Sequence, residues 1–281
     1  MSSIKKYAVG HVLILEMDVP ESRNALSKEL QAELITELDT APAEGFRVAV
    51  LKGSSTVFSS GYNVSPVGRS NYVGENEVFA DVQRLRDHVD FLLRLRRVQM
   101  PVVAQVRGYC LAGGTDLMLA TDIAIVADDA KIGVPNVRSF GISLFSTLWP
   151  LLIGPMRSKL MMFTGDSITG KQASDWGLAA LSAPAESLDS TVMQLASRMA
   201  LMPPDLLSAS KIAANRMMEI VGLEALLQSA IEVDVLAHFS GSIVDYWKKV
   251  KTDGLRSVIR ERDAPYAQGG LAELIGLPPL P

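Results

Sequence analysis

Apolar positions along the chain follow two periods. Short unbroken apolar runs stand at 48–51, 102–106 and 123–127. Runs of this length, rich in valine and isoleucine and bounded by glycine or charged residues, predict strands buried on both faces. Residues 7–17 (YAVGHVLILEM) predict a strand pair or one long strand. Between the strands the spacing becomes helical. Leu30, Leu34 and Leu38 recur every four residues, Glu29, Glu33 and Glu37 share another face, and Ser27 stands where an N-cap belongs. A second long helix is predicted from Phe79, Val82, Leu85, Val89, Leu92 and Leu93. Its arginines (Arg84, Arg86, Arg94, Arg96, Arg97) are expected on a solvated or intersubunit face. His88, which falls within the apolar spacing, is expected to be packed rather than catalytic.

The polar stretch 64–76 reads as a mobile loop, and Thr169-Gly170-Lys171-Gln172 as a capping box opening a helix that ends at Gly177. From Ser187 onward only helices are predicted, at 188–201, 205–220, 223–239 and 242–262, with a break at Pro203-Pro204. Alternating strands and helices followed by helices alone predict an α/β core with a helical appendage.

Composition narrows the function. The chain has 281 residues, 48% of them hydrophobic, enough for one large core. A net charge of −4 with no basic block, and few aromatics, argue against a nucleic-acid partner. The lone Cys110 allows no internal disulfide and no cysteine-based zinc site, and His11, His88 and His238 lack metal-ligand spacing, so no metal is expected. No apolar run is long enough for a membrane span, and the N-terminal MSSIKKYAVG has no apolar signal core. A soluble cytoplasmic protein, with no membrane partner, is the expectation.

Candidate chemistry lies in two glycine turns that each follow a predicted strand. One is Phe58-Ser59-Ser60-Gly61-Tyr62-Asn63, the other Gly108 to Gly114 (GYCLAGG), which leads into a buried helix. Glycines there let the backbone approach a ligand closely, and N–H groups at a helix start point outward where the dipole is positive. Such a place suits a developing negative charge on oxygen. A tight turn with no further role is the competing reading. The glycines of GYCLAGG do not fall in dinucleotide-binding spacing.

The two segments, together with Arg23-Asn24-Ala25-Leu26 and Thr169 to Leu178, resemble the enoyl-CoA hydratase/isomerase (crotonase) family over roughly residues 7–265. The resemblance implies a spiral of ββα units with a C-terminal helical segment. It places a core domain at 1–200, a trimerisation segment at 201–265 and a proline-rich tail at 266–281. It implies an acyl-CoA thioester as substrate, no cofactor beyond the coenzyme A that the substrate carries, and self-association as a trimer or dimer of trimers. Tyr62 and Gly113 would donate the two backbone N–H groups of an oxyanion hole. Arg23, Ala25, Ser60, Gly61, Asn63, Tyr109 and Gly114 would bind substrate.

Hydratases of the family typically use two glutamates. By position these are Asp116, shorter by one methylene, and Asn136, which is neither acid nor base at neutral pH. Arg138 is expected to point into the pocket, toward an acidic or anionic group. Asp116 is the expected acid/base, although an acid in a first helical turn is favourable for electrostatic reasons alone. The simplest label is enoyl-CoA hydratase. The departure at 136 leaves open a one-base isomerase, a C–C bond hydrolase acting on a bulky acyl-CoA, or an acyl-CoA binding protein without turnover.

Overall fold

The computed structural model describes residues 3–63, 78–268 and 270–271. The predicted loop at 64–76 and the end of the tail, 272–281, lie outside the described residues.

The N-terminal run is a strand pair: β1 (Ile4–Val9) and β2 (Val12–Met17) form an antiparallel hairpin. Helix α1 (Lys28–Thr40) begins where Ser27 accepts a hydrogen bond from the Leu30 N–H, and it buries Leu30, Leu34 and Leu38. Three turns of the chain then each add one strand to each of two sheets. They are β3 (Val48–Lys52) with β4 (Val57–Ser59), β5 (Val102–Val106) with β6 (Tyr109–Leu111), and β7 (Ile123–Ala127) with β8 (Lys131–Gly133). The first sheet has the order β1-β2-β3-β5-β7-β10 and is parallel from β2 onward. The second has the order β4-β6-β8-β9. Here β9 is Ser167–Thr169 and β10 is Leu181–Ala183. All five residues of β5 are buried, as a strand covered on both faces requires.

Helices α2 (Val78–Arg97) and α3 (Gly113–Ala120) follow β4 and β6. After β8 come a 3-10 turn at Pro135–Arg138, another at Leu144–Leu148, and the helices α4 (Trp149–Leu152), α5 (Pro155–Thr164) and α6 (Gly170–Trp176). The capping box of α6 is formed at both ends of the Thr169–Gln172 pair, and Gly177 closes the helix in the left-handed conformation. The rest is helical: α7 (Leu188–Met199), α8 (Pro204–Ile220), α9 (Leu223–His238), α10 (Gly241–Asp253) and α11 (Leu255–Asp263). One helix was expected over 242–262. Gly254, at φ 79°, divides it into α10 and α11.

Packing separates these helices into two groups. Leu227, Ala230, Ile231 and Val235 of α9 belong to the main core, whereas Ile243, Trp247, Val250 and Val258 form a small cluster of their own. Helix α9 packs on α2 and on the 144–148 turn, which in turn packs on α3. This stacking brings the C-terminal half of the chain against the glycine turns. No helix of the described residues is long and apolar enough to cross a membrane.

Candidate active site

The two glycine turns meet. A side chain is excluded at Gly61 (φ 102°), where a Cβ would lie 2.9 Å from the Gly113 nitrogen, so the segments run against each other. At Gly113 a Cβ would lie 2.6 Å from the Tyr62 ring. Among the described residues, neither the Tyr62 N–H nor the Gly113 N–H has an acceptor. The Gly113 group is one of the orphan donors of a helix start, so it sits at the positive end of α3. The residue before it, Ala112, has φ 51° and ψ −125°. A non-glycine residue there stores on the order of 1–3 kcal/mol of strain, held by the surrounding structure.

Upstream residues fix the first turn. Asn24 is buried, its amide donating to the Val57 and Phe58 carbonyls and accepting from the Val19 N–H. Ser59 Oγ donates to the Asn24 carbonyl and accepts from the Gly61 N–H, while Leu26 N–H donates to the Gly61 carbonyl. The Arg23–Leu26 segment is thus stapled to the first glycine turn. Arg23 and Asn24 both take left-handed backbone conformations to make this approach (φ 55° and 53°).

A cavity of about 840 Å³ opens along these elements. Of the expected site residues, Arg23, Ala25, Ser60, Tyr62, Asn63, Gly113 and Asn136 line it. Gly61 and Gly114 lie beneath its wall, Gly114 packed against Ser59. Two expectations are corrected. Tyr109 is exposed on β6 and faces Lys131 rather than the cavity. Arg138 points away from it. Its guanidinium donates to the Thr164 carbonyl at 2.8 Å, to Asp166 at 2.7 Å and to Asp263 at 3.2 Å, with the Tyr266 ring 3.7 Å away. Two carboxylates and a carbonyl satisfy this cation inside the protein, which makes it a brace between α5, β9 and α11.

Asn136 is held on both sides: its amide donates to the Gly141 carbonyl and accepts from Ser143 Oγ. Asp116 is fully buried, behind the cavity wall rather than on it. One oxygen, Oδ1, accepts from the Phe145 N–H at 3.0 Å. The other, Oδ2, has no hydrogen-bond partner among the described residues, and neither does the hydroxyl of Tyr62. The two groups feel each other electrostatically, and the ring of Tyr62 stacks on buried His88 at 3.9 Å. Burial pushes the Asp116 carboxyl up to about 7, against the pull of the Phe145 and Leu144 N–H groups and with a push from the charge on Asp234.

The sequence reading missed part of the lining. Arg84 turns inward from the predicted solvated face and binds Asp81 at 2.6 Å. His238 and Asp234 of α9 join it on the wall, and Arg256 and Arg260 of α11 stand exposed at one end with Arg23. Nothing local in the sequence signals that α9 and α11 reach the glycine turns.

Residues 8–251 match the model of the enoyl-CoA hydratase/isomerase family. The 2,3-dehydroadipyl-CoA hydratase of Escherichia coli (strain K12) is 30% identical, over 74% of this chain and 80% of its own. The hydroxycinnamoyl-CoA hydratase-lyase of Pseudomonas fluorescens is also 30% identical, over 72% and 73%. Among solved structures, an enoyl-CoA hydratase from Mycobacterium smegmatis superposes with a TM-score of 0.86 at 28% identity, covering 94% of each chain. With a spiral of two mostly parallel sheets and two glycine turns that meet at the cavity, the chain belongs to the enoyl-CoA hydratase/isomerase family, whose crotonase fold it has.

Proposed function

We propose that this family member acts on acyl-CoA thioesters by moving a proton at the carbon next to the thioester carbonyl. The observation that carries this reading is the pair of unclaimed N–H groups, Tyr62 and Gly113, beside a carboxyl held near neutrality. Removal of the proton at C2 leaves an enolate. Two fixed donors stabilise its oxygen more than they stabilise the ground-state carbonyl, and one such donor is typically worth about 3 kcal/mol. A carboxyl whose pKa of about 7 matches the working pH can both take and return the proton. In this reading the proton passes between Asp116 and the cavity through the Tyr62 hydroxyl, which must close on the carboxyl to do so, since neither that hydroxyl nor Asp116 Oδ2 has a hydrogen-bond partner among the described residues. One such carboxyl suffices for moving a double bond from C3 to C2. Position 136 adds no acid, because the Asn136 amide is tied to Gly141 and Ser143. Coenzyme A enters as part of the substrate, with its phosphates beside Arg23, Arg256 and Arg260.

Self-association is part of the same proposal. Ile212, Met217 and Ile220 of α8 and Val233 and Leu236 of α9 are exposed, an apolar surface that assembly would cover. A trimer or dimer of trimers is expected by light scattering, and a monomer would contradict it.

The test of the reaction has two parts. Butyryl-CoA is incubated with the protein in D2O, and crotonyl-CoA, longer 2- and 3-enoyl-CoAs and a ring-bearing enoyl-CoA are incubated in parallel, all read by mass spectrometry. Deuterium at C2 or a migrated double bond is expected. If no thioester gains deuterium or changes while CoA esters still bind, a binding role replaces the enzymatic one.

A further inference from the structure

Two carboxylates bracket one short loop. Asp116 Oδ1 accepts from the Phe145 N–H at 3.0 Å, and Asp234 Oδ1 accepts from the Ile142 N–H at 2.7 Å. Each leaves its second oxygen unbonded. Asp234 Oδ2 has no hydrogen-bond donor among the described residues, and its nearest cationic neighbour is His238 Nε2 at 3.6 Å. The side chain of Asp234 is only 4% exposed, and that exposure is to the cavity it lines. Gly141 makes room for it, since a Cβ there would lie 2.1 Å from Oδ1.

The surroundings of Asp234 are built rather than incidental. On its own helix, His238 gives Nδ1 to Asp81 at 2.6 Å and Nε2 to the Phe140 carbonyl at 2.7 Å. The Arg84 guanidinium also lies 3.4 Å from Nδ1, and Nε2 stands 3.6 Å from Asp234 Oδ2, so the imidazole joins Asp234 to Asp81 and Arg84. From α2, Arg84 and Asp81 face the same space, and from α3 Asp116 does so through Tyr62. The N–H that Asp234 holds, at Ile142, is three residues from the Phe145 N–H that Asp116 holds, and Asp234 lines the cavity together with Tyr62 and Gly113. Burial and the nearby Asp81 push its carboxyl up, while His238, the Ile142 N–H and Arg84 hold it down. Two carboxyls that share a site and differ in environment are the arrangement that separates acid from base.

Building on the enolate reading above, we propose that Asp234 is the second carboxyl of this active site, in the role left open at Asn136, and that it activates water for addition to a 2-enoyl-CoA. The Asp234 carboxylate takes one proton from water as the oxygen bonds to C3. The C2=C3 electron pair moves to C1–C2 and the thioester carbonyl becomes an enolate, held by the Tyr62 and Gly113 N–H groups. The enolate then takes a proton at C2 from Asp116 through the Tyr62 hydroxyl. One water is added, and the proton gained by Asp234 and lost by Asp116 returns through solvent.

The experiment compares two reactions in one protein. C2 deuterium exchange on butyryl-CoA needs only the oxyanion hole and Asp116, whereas water gain on the 2-enoyl-CoA panel needs Asp234 as well. Asp234→Asn keeps an acceptor for the Ile142 N–H. It is expected to lower water addition about 10²–10⁴-fold, the usual contribution of a general base, and to leave exchange at its own pH optimum within about threefold, with the acid limb of exchange moved to lower pH. Retained exchange also reports that the variant is folded. A second variant, His238→Gln, keeps the carboxyl and removes the imidazole that holds Asp234 down. The acid limb of the water-addition profile is expected to move to higher pH, with exchange unmoved. Water addition that survives Asp234→Asn would overturn the proposal. So would a wild-type protein that exchanges C2 protons and adds water to no member of the panel. A wild-type protein that does neither would overturn the enolate reading itself.

Discussion

The substitution Gly113→Ala tests the oxyanion hole most directly. A Cβ at 113 would sit 2.6 Å from Tyr62 Cδ2, 2.7 Å from Cε2 and 3.0 Å from Cγ, against an ordinary contact of 3.4 Å. The ring must therefore retreat by about 0.8 Å, the difference between 3.4 and 2.6 Å. It has nowhere easy to go, because His88 stacks on it at 3.9 Å. Part of the shift passes into the backbone of both residues, and these carry the two donors. A displacement near 1 Å typically costs on the order of 10²-fold in rate, close to the loss of one donor at about 3 kcal/mol. C2 exchange on butyryl-CoA is expected to fall about 10²–10³-fold. Affinity for the thioester should change little, since the proposed phosphate contacts of Arg23, Arg256 and Arg260 are left intact. The overpacked site should also lower stability by roughly 1–3 kcal/mol in a urea titration. Exchange within about threefold of wild type, in a protein that melts normally, would refute the placement of the donors.

Other variants separate chemistry from structure. Asp116→Asn should abolish most C2 exchange and stabilise the fold at high pH. The folded carboxyl sits at about 7 against an ordinary 3.8, so the folded state holds its proton more tightly and wild-type stability declines as pH rises between these values. The gap corresponds to about 4 kcal/mol above pH 7. An amide keeps the Phe145 contact without that penalty, and urea midpoints at pH 5 and pH 8 should show the gain growing with pH. Arg138→Ala should leave Asp166 without its cation, while Asp263 keeps Arg262, and lower stability by roughly 3–5 kcal/mol, as breaking a buried pair does. Its turnover at low temperature should stay near wild type. A large rate loss with an unchanged melting temperature would return Arg138 to the cavity.

What could be read in the sequence was local. The Ser27 cap, the Thr169–Gln172 capping box and the Gly177 stop depend on contacts within three or four residues, so the spacing contains them. The apolar runs that became β3, β5 and β7 were legible because a strand buried on both faces needs an unbroken run. The glycine turns were legible because a close backbone approach excludes Cβ, and the residues at Gly61 and Gly113 record that exclusion. These features were enough to find the fold and the two glycine turns that meet.

The tertiary structure decided which charged groups meet. Arg138 ends a 3-10 turn and Arg84 lies on the twenty-residue helix α2, and the apolar spacing does not say what either one meets. Packing turned the first away from the cavity, toward Asp166 and Asp263, and the second into it, against Asp81. Asp116 keeps the position of a family carboxylate, yet the Tyr62 ring and the Phe145 N–H place it behind the wall. Asp234 and His238 lie more than a hundred residues from the glycine turns, on a helix whose spacing records only its buried face. Helical periodicity says which side of α9 is apolar. Only the docking of that side against α2 and the 144–148 turn determines that a carboxyl near its end lines the cavity beside the glycine turns.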